Sequence, residues 1–355
     1  MASANLASSA INPKAAGRKP PAAAKLFGLL KPYKSLVYLL VTLTLLGNSL
    51  NLIVPKLISR AIDSFTTGGF VLREAVLEFL GAGLLIFLFS YAQSIVQTLA
   101  AENVAKDLRN RLAAKISLQS YSYVERLTPA KLLTNLTSDV DSVKMFVAQA
   151  IATIISSLFL IVGASVLLLS INWRLGLAIL GIVPFIAITF GFVLGRVRKL
   201  FMKSQESIDW LNRVINESIL GAALIRILNS QQLEYDKFVA ANTQARDIGL
   251  TILRLFAALI PAITCAMNLA TVTILWMGGN FVIGGSMSLG DFTAFNTYLA
   301  ILVFPIMMIG FMSNVIAQAS ASYDRFNAVL TAPDEEKPAR LITKLQGDIT
   351  MQNVT

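Results

Sequence analysis

Six long apolar runs divide this chain, and the longer polar stretches between them keep helical time. Read as segments able to cross about 30 Å of hydrocarbon, the runs fall at 36–58, 75–98, 148–171, 175–195, 255–281 and 292–318. The connections alternate long and short. The longest, Arg196 to Arg254, exceeds what a structureless loop would span and repeats like a helix instead. Ile215, Ile219, Ala223 and Ile227 form one ridge at i+4, and Leu220, Leu224 and Leu228 form a second beside it. Phe238, Ala241, Ala245, Ile248, Ile252 and Leu255 follow at spacings of three and four. The pattern predicts a helical hairpin whose arms prolong two spans by about 20 residues, roughly 30 Å at the helical rise. Its tip is expected at Gln205 to Asn212, a polar piece carrying one large aromatic residue, Trp210.

A sister hairpin is predicted from Leu99 to Val147. Val104, Leu108, Leu112 and Ile116 mark its first arm, and Leu133, Leu136, Val140, Val143 and Val147 its second. Ser120 to Pro129 lies between them, and Pro129 favours an extended residue before it and a fresh helix after it. The expected fold class is an all-α membrane protein: six transmembrane helices with two long cytoplasmic helical hairpins.

Charge supplies the orientation. All but four of the 30 Lys and Arg lie in 1–35, 99–147, 196–254 and 319–355, which places those segments and both termini in the cytoplasm. The exceptions, Lys56, Arg60, Arg73 and Arg174, fall at outer ends or in short outer loops. A mean hydropathy of +0.67, with 55% hydrophobic and 14% charged residues, marks an integral, multi-pass membrane protein, and the plasma (inner) membrane is its expected location. The net charge of +10 could suggest nucleic acid, but apolar runs cut the basic residues into blocks, so no nucleic-acid partner is expected. Cys265 is the one cysteine and histidine is absent, which leaves no zinc site and no other metal centre. Residues 1–24 read as a flexible cytosolic tail without the apolar core of a cleavable signal. Lys25 to Lys34 suits a short interfacial helix, and 25–330 forms the membrane domain. Beyond it, 331–355 reads as a linker, Thr331 to Pro338, followed by the first strand, Ile349 to Thr355, of a truncated further domain.

The spans offer no catalytic residue. Spans three to six carry no Asp, Glu, Lys or Arg in their interiors, whereas ion-coupled carriers usually keep an ionisable group there. Their polar residues are Asn268 on the fifth span and Asn296 and Asn314 on the sixth, with Asn48 and Asn51 on the first and Gln93 and Gln97 on the second. For each, an interhelical hydrogen bond is at least as good an account as contact with a substrate. The sixth span adds Phe295, Tyr298, Phe304, Met307, Met308, Phe311 and Met312, a deformable lining if it faces a cavity and packing if it does not. Such a lining favours neutral or weakly cationic lipophilic compounds over small hydrophilic anions. Pro184, Pro261 and Pro305 are expected to kink spans four, five and six.

Several of these stretches together resemble the membrane half of ABC exporters of the type with six long helices per half. They are Asn51-Leu-Ile-Val-Pro-Lys-Leu-Ile-Ser-Arg-Ala-Ile-Asp63, Asn172-Trp-Arg-Leu through Pro184, Ser138-Asp-Val-Asp141, Asn216-Glu217 with Gly221, Leu289-Gly-Asp-Phe-Thr-Ala-Phe295, and Gln346 to Val354. Their order and spacing carry the resemblance over about residues 25–355. It implies a domain-swapped dimer of two halves, identical or not, moved by alternating access. ATP and Mg would be bound by nucleotide-binding domains missing from these residues. No G-x-x-x-x-G-K-[ST] phosphate loop occurs, so the chain has nothing to cradle a triphosphate and is not the ATPase by itself.

Under this resemblance the hairpin tips are coupling helices docked on the nucleotide-binding domains. Tyr121 and Tyr123 are the candidates at the first tip, and Gln205, Asp209 and Trp210 at the second. Trp210 reads as a buried anchor or as a residue lining the turn. Asp139 and Glu217 read as structural partners of arginines on neighbouring arms. The cargo would be a lipophilic or amphipathic small molecule; a lipid flippase of the same fold is the alternative, and a carrier or channel independent of nucleotide is a third reading. Membrane lipid and a second transporter half are the remaining partners expected.

Overall fold

The structure is a computed structural model that describes residues 26, 28–335, 347 and 350. The expected N-terminal tail and nearly all of the linker and strand beyond 335 lie outside the described residues. Within them the chain is an all-α membrane protein with six helices long and apolar enough to cross a bilayer. We number eight helices: α1 Lys34–Thr66, α2 Leu72–Ser117, α3 Tyr121–Leu127, α4 Pro129–Ile171, α5 Trp173–Leu220, α6 Ala222–Ile227, α7 Gln231–Ile283 and α8 Leu289–Leu330. Every expected span falls inside one long helix, and the short α3 and α6 sit between long neighbours.

Local chemistry sets the ends. α1 and α7 each close on a glycine in the left-handed region, Gly68 (φ 78°) and Gly285 (φ 72°). The following N–H of Gly69 returns to Ser64 O at 2.9 Å, and that of Ser286 to Phe281 O at 2.9 Å, so carbonyls left over by the last turn are satisfied. Asn172 opens α5, its side chain accepting from the backbone N–H of Arg174 and Leu175. α5 is interrupted at Gly181, between the segments Trp173–Leu180 and Ile182–Leu220. Pro184 explains this, since it cannot donate to the carbonyl four residues back. Pro261 and Pro305 sit inside helices that continue through them.

The chain divides into two compact units. One comprises Leu30–Ala101 and Met145–Ala317 and holds two apolar cores. In the first, Leu52 of α1, Ala164 and Leu168 of α4, Leu175 and Ile179 of α5, Ile274 of α7 and Phe295, Tyr298 and Leu302 of α8 pack together. In the second, Ile186, Phe190 and Val193 of α5 meet Leu259 and Ile263 of α7 and Val303 and Ile306 of α8.

The junction of α1 with α8 is polar. Asp63, near the end of α1, accepts from Ser288 Oγ at 2.7 Å and from the Gly290 N–H at 2.8 Å. Ser288 Oγ in turn accepts from the Asp291 N–H at 2.9 Å, and Ser59 Oγ donates to Asp291 Oδ1 at 3.2 Å. Two of the N–H groups that open α8 are thus satisfied, one by its own serine and one by a carboxylate from α1. A Cβ at position 290 would run into the Ser59 carbonyl and the Asp63 carboxylate, so the approach requires glycine.

The other unit comprises Glu102–Lys144 with the described parts of Met1–Leu29 and Gln318–Thr355. Val104, Leu108 and Leu112 are buried on α2 as the periodicity predicts, but on α4 the buried leucine is Leu132, and Leu133 is exposed. A π-turn at Asn135–Asp139 is the reason: its wider ring adds a residue to the turn and shifts the face that points inward. Asn135 and Asp139 are buried as a result.

Candidate functional site

The polar and aromatic residues of the spans separate by burial. Phe295 and Tyr298 are 0% and 1% exposed, and the Tyr298 hydroxyl donates to the Leu52 carbonyl at 2.9 Å. Pro55 lacks the N–H that would bond to Asn51 and loosens this turn of α1. Both aromatic residues belong to the first core, which corrects their expected place in a cavity lining. Apolar residues occupy every side of α8 around Phe295 and Tyr298, so periodicity could not tell a packed face from an open one. Met307 packs half-buried against the second core.

Several amides join helices. Asn48 exchanges two hydrogen bonds with Ser156 of α4, at 2.8 and 3.1 Å. Gln97 of α2 donates to the Ala148 carbonyl of α4. Asn51 donates to Gly47 O of its own helix at 3.1 Å. Gln93 and Asn296 are half-buried on α2 and α8. Asn268 is exposed and borders a shallow groove of about 520 Å³ on α7, beside Pro261, Thr264 and Cys265.

Phe311 and Asn314 face open space where α5 crosses α8. Phe311 meets Phe190 edge to face, with ring centroids 5.5 Å apart. A Cβ at Gly310 would strike Phe190 and Leu194, so the helices approach this closely because residue 310 is glycine. Just beyond the crossing is a pocket of about 240 Å³, bordered by Gly191, Gly195, Arg198, Ser313 and Asn314. Arg198 donates through Nη2 to the Asn314 side-chain oxygen. Sequence reasoning missed Arg198 here. By charge it belonged to the hairpin beginning at 196, and nothing local in the sequence reports a partner 116 positions away.

The hairpin ends differ from expectation on one side. The first contains α3, with Tyr121 exposed and Tyr123 half-buried. Thr128, just before Pro129, has ψ 140° as an extended residue should, but its φ is 64°, a rare conformation for a β-branched side chain. Asp139 is buried, and Arg325 of α8 clasps it through Nε and Nη2 while also donating to Ser322 Oγ at 2.8 Å. The hydrogen bond to Asp139 raises the Arg325 guanidinium above its already high range. Asp139 thus has the arginine partner that its sequence context suggested.

Gln205 to Asn212 is not a tip. These residues lie inside the continuous helix Ile182–Leu220, where Gln205 donates to Asp209 one turn on at 3.1 Å and Trp210 is half-buried. Polarity alone suggested a turn, but the stretch has no Gly or Pro to break the helix. The chain reverses at Gly221–Ser230 instead. Asn229 takes the left-handed conformation (φ 51°), and the Ser230 N–H returns to Ile225 O at 3.0 Å, a helix stop for which asparagine is suited. Gly221 and Asn229-Ser230 were the available signals.

The true end carries Leu220, Leu224, Ile227 and Leu228, all strongly exposed. An open groove of about 610 Å³ runs between the end of α5, α6 and the first turns of α7, with Ile219, Tyr235 and Phe238 on its walls. Among the described residues no group of three or more Cys, Asp or Glu could hold a metal ion.

The ABC transporter transmembrane region family matches residues 37–306. YfiB, an uncharacterized ABC transporter ATP-binding protein of Bacillus subtilis (strain 168), is 28% identical over 338 residues, 93% of this chain and 58% of its own length. MdlA, a multidrug resistance-like ATP-binding protein of Escherichia coli (strain K12), is 26% identical over 306 residues, 84% of this chain and 50% of its own. An ATP-dependent lipid A-core flippase of Syntrophus aciditrophicus (strain SB) is 23% identical over 269 residues, 75% of this chain and 45% of its own. The chain spans about half the length of the curated relatives it matches.

Proposed function

Since the chain belongs to the ABC transporter transmembrane region family, we propose that it is the membrane-spanning part of an ATP-driven exporter that moves lipophilic or amphipathic compounds outward by alternating access. The observation that carries this reading is the family match over six long helices, four of which continue into charged arms. The charge distribution supports an orientation with both hairpins and both termini in the cytoplasm. ATP and Mg belong, in this reading, to nucleotide-binding domains, since no residue stretch here forms a phosphate loop.

The hairpin ends are then the places where those domains push. For the second hairpin the coupling role moves from Trp210 to α6, whose exposed Leu224 and Ile227 offer an apolar surface of the kind that marks a protein contact. At the first, Tyr121 on α3 presents an aromatic ring in the same way. α5 and α7 pack on each other and would carry a push at α6 toward the crossing with α8. A second half, identical or not, completes the transporter. The relative named as a lipid A-core flippase favours lipid as a second class of cargo.

The test uses the full-length protein in inverted and in right-side-out membrane vesicles. Added ATP should drive accumulation of a lipophilic fluorescent dye in the inverted vesicles only. Accumulation without ATP would replace the exporter with a nucleotide-independent carrier. Uptake driven by external ATP in right-side-out vesicles would reverse the orientation.

A further inference from the structure

The pocket beyond the α5–α8 crossing has an unusual composition for a span. One side is bare backbone: ideal Cβ atoms at Gly191 and Gly195 would meet nothing within 4 Å. Two hydroxyl and amide side chains, Ser313 and Asn314, border it on α8, and the one charged group on it is the Arg198 guanidinium. Arg198 spends a single N–H group on Asn314, and a guanidinium has five donors in a flat fork. No Asp or Glu borders the pocket. Close by, Phe311 is exposed and rests edge to face on the buried Phe190.

From this arrangement we propose that the pocket holds the anionic group, a phosphate or carboxylate, of an amphipathic molecule whose apolar part lies along Phe311. Arg198 supplies charge-assisted hydrogen bonds, Asn314 fixes the orientation of the guanidinium, and the absent side chains at 191 and 195 leave room for the oxygens. This rests on the reading that α5 and α8 border the export path, and it replaces the neutral or weakly cationic cargo expected from composition with an anionic amphiphile. The neighbouring Arg196 serves a different purpose, since its guanidinium lies over the Phe192 ring at 4.7 Å.

The test measures binding to the full-length protein without nucleotide, so it is independent of whether that protein exports anything. The purified protein in neutral phosphatidylcholine nanodiscs is titrated with radiolabelled lysophosphatidic acid and with lysophosphatidylcholine. The first should bind about tenfold more tightly, as one added charge-assisted hydrogen bond allows. Arg198→Gln should abolish the preference, Arg198→Lys should restore part of it, and Arg196→Gln should leave it intact. Gly195→Leu, which keeps the charge and fills the space, should also abolish it.

Equal binding of the two probes by the unaltered protein overturns the proposal. So does a preference that survives Arg198→Gln. A second set of nanodiscs containing anionic phosphatidylglycerol separates the two sources of the group. Loss of lysophosphatidic acid binding there identifies a bilayer headgroup as the occupant, and persistence identifies a cargo molecule.

Discussion

The two hairpins are built from similar helices but end in opposite ways. The first is tied by charge: a buried carboxylate on α4 meets an arginine on α8, Arg109 pairs with Asp141 at 2.6 Å, and Lys115 pairs with Asp334 at 2.5 Å. The Glu335 N–H also donates to Leu118 O at 3.0 Å, so the chain leaving α8 is held at the end of α2. Near its end the second hairpin has one long hydrogen bond between its arms, from Ser218 Oγ to Glu234 Oε2 at 3.4 Å. It rests on packing between α5 and α7 and leaves leucines and isoleucines in the open. The first hairpin is thus braced by its own chain and leaves Tyr121 as its exposed aromatic residue, whereas the second leaves a wider apolar surface on a defined turn, of the kind that marks a protein contact.

The largest test of this contrast is Arg325→Ala. It leaves the Asp139 carboxylate buried without its counter-charge, and because Arg325 is itself half exposed the loss should be about 1–3 kcal/mol. Thermal unfolding of the purified chain should show the loss, and limited proteolysis should cut first within 120–140. An unchanged unfolding temperature would mean that the pair stabilises nothing. For the second hairpin, Ile227→Asp should leave unfolding within about 0.5 kcal/mol of the parent, as for other exposed positions. In the full-length protein the same change should lower transport relative to ATP hydrolysis several-fold, while Trp210→Ala, in mid-helix, should not. The opposite ranking would return the coupling role to Trp210.

The smallest expected effect is at Thr128. Glycine there relieves a positive φ that threonine rarely adopts, while the greater freedom of glycine in the unfolded chain offsets part of the gain. The net change should be about 1 kcal/mol or less in denaturant unfolding. A large loss would show that the threonine side chain itself holds the turn.

Much of this architecture was legible from residue order. The spans could be read because a bilayer demands about 20 apolar residues in a row, and the helical arms because periodicity survives in water as well as in lipid. The second tip was misplaced because polarity is a weak signal for a turn, whereas Gly221 and Asn229-Ser230 carried the backbone reason for one. The register of the second arm in the first hairpin was legible at Val140, Val143 and Val147, which are buried, but not at Leu133. A π-turn follows from tertiary packing around Asp139, not from local propensity, so Leu132 and Leu133 exchanged roles. Burial was equally silent on α8, where Phe295 and Phe311 look alike in sequence and one is sealed in a core while the other borders open space. Arg198 shows the same limit from the polar side, because its partner is a distant amide.

The carboxylate of Asp63 has a mechanical consequence. It grips the first turn of α8 from the last turns of α1, and residue 290 has no side chain to keep the two backbones apart. Hydrogen bonds to a charged acceptor hold more firmly than neutral ones, and here three polar links converge within a few residues. α1 and α8 are therefore welded at this end, like two legs of a compass fixed at the pivot. Any rearrangement of the spans that pulled them apart here would strip a helix start of its hydrogen bonds and bare a carboxylate. A rearrangement that keeps these bonds would be taken up further along the two helices, so this junction would act as a fulcrum rather than a gate.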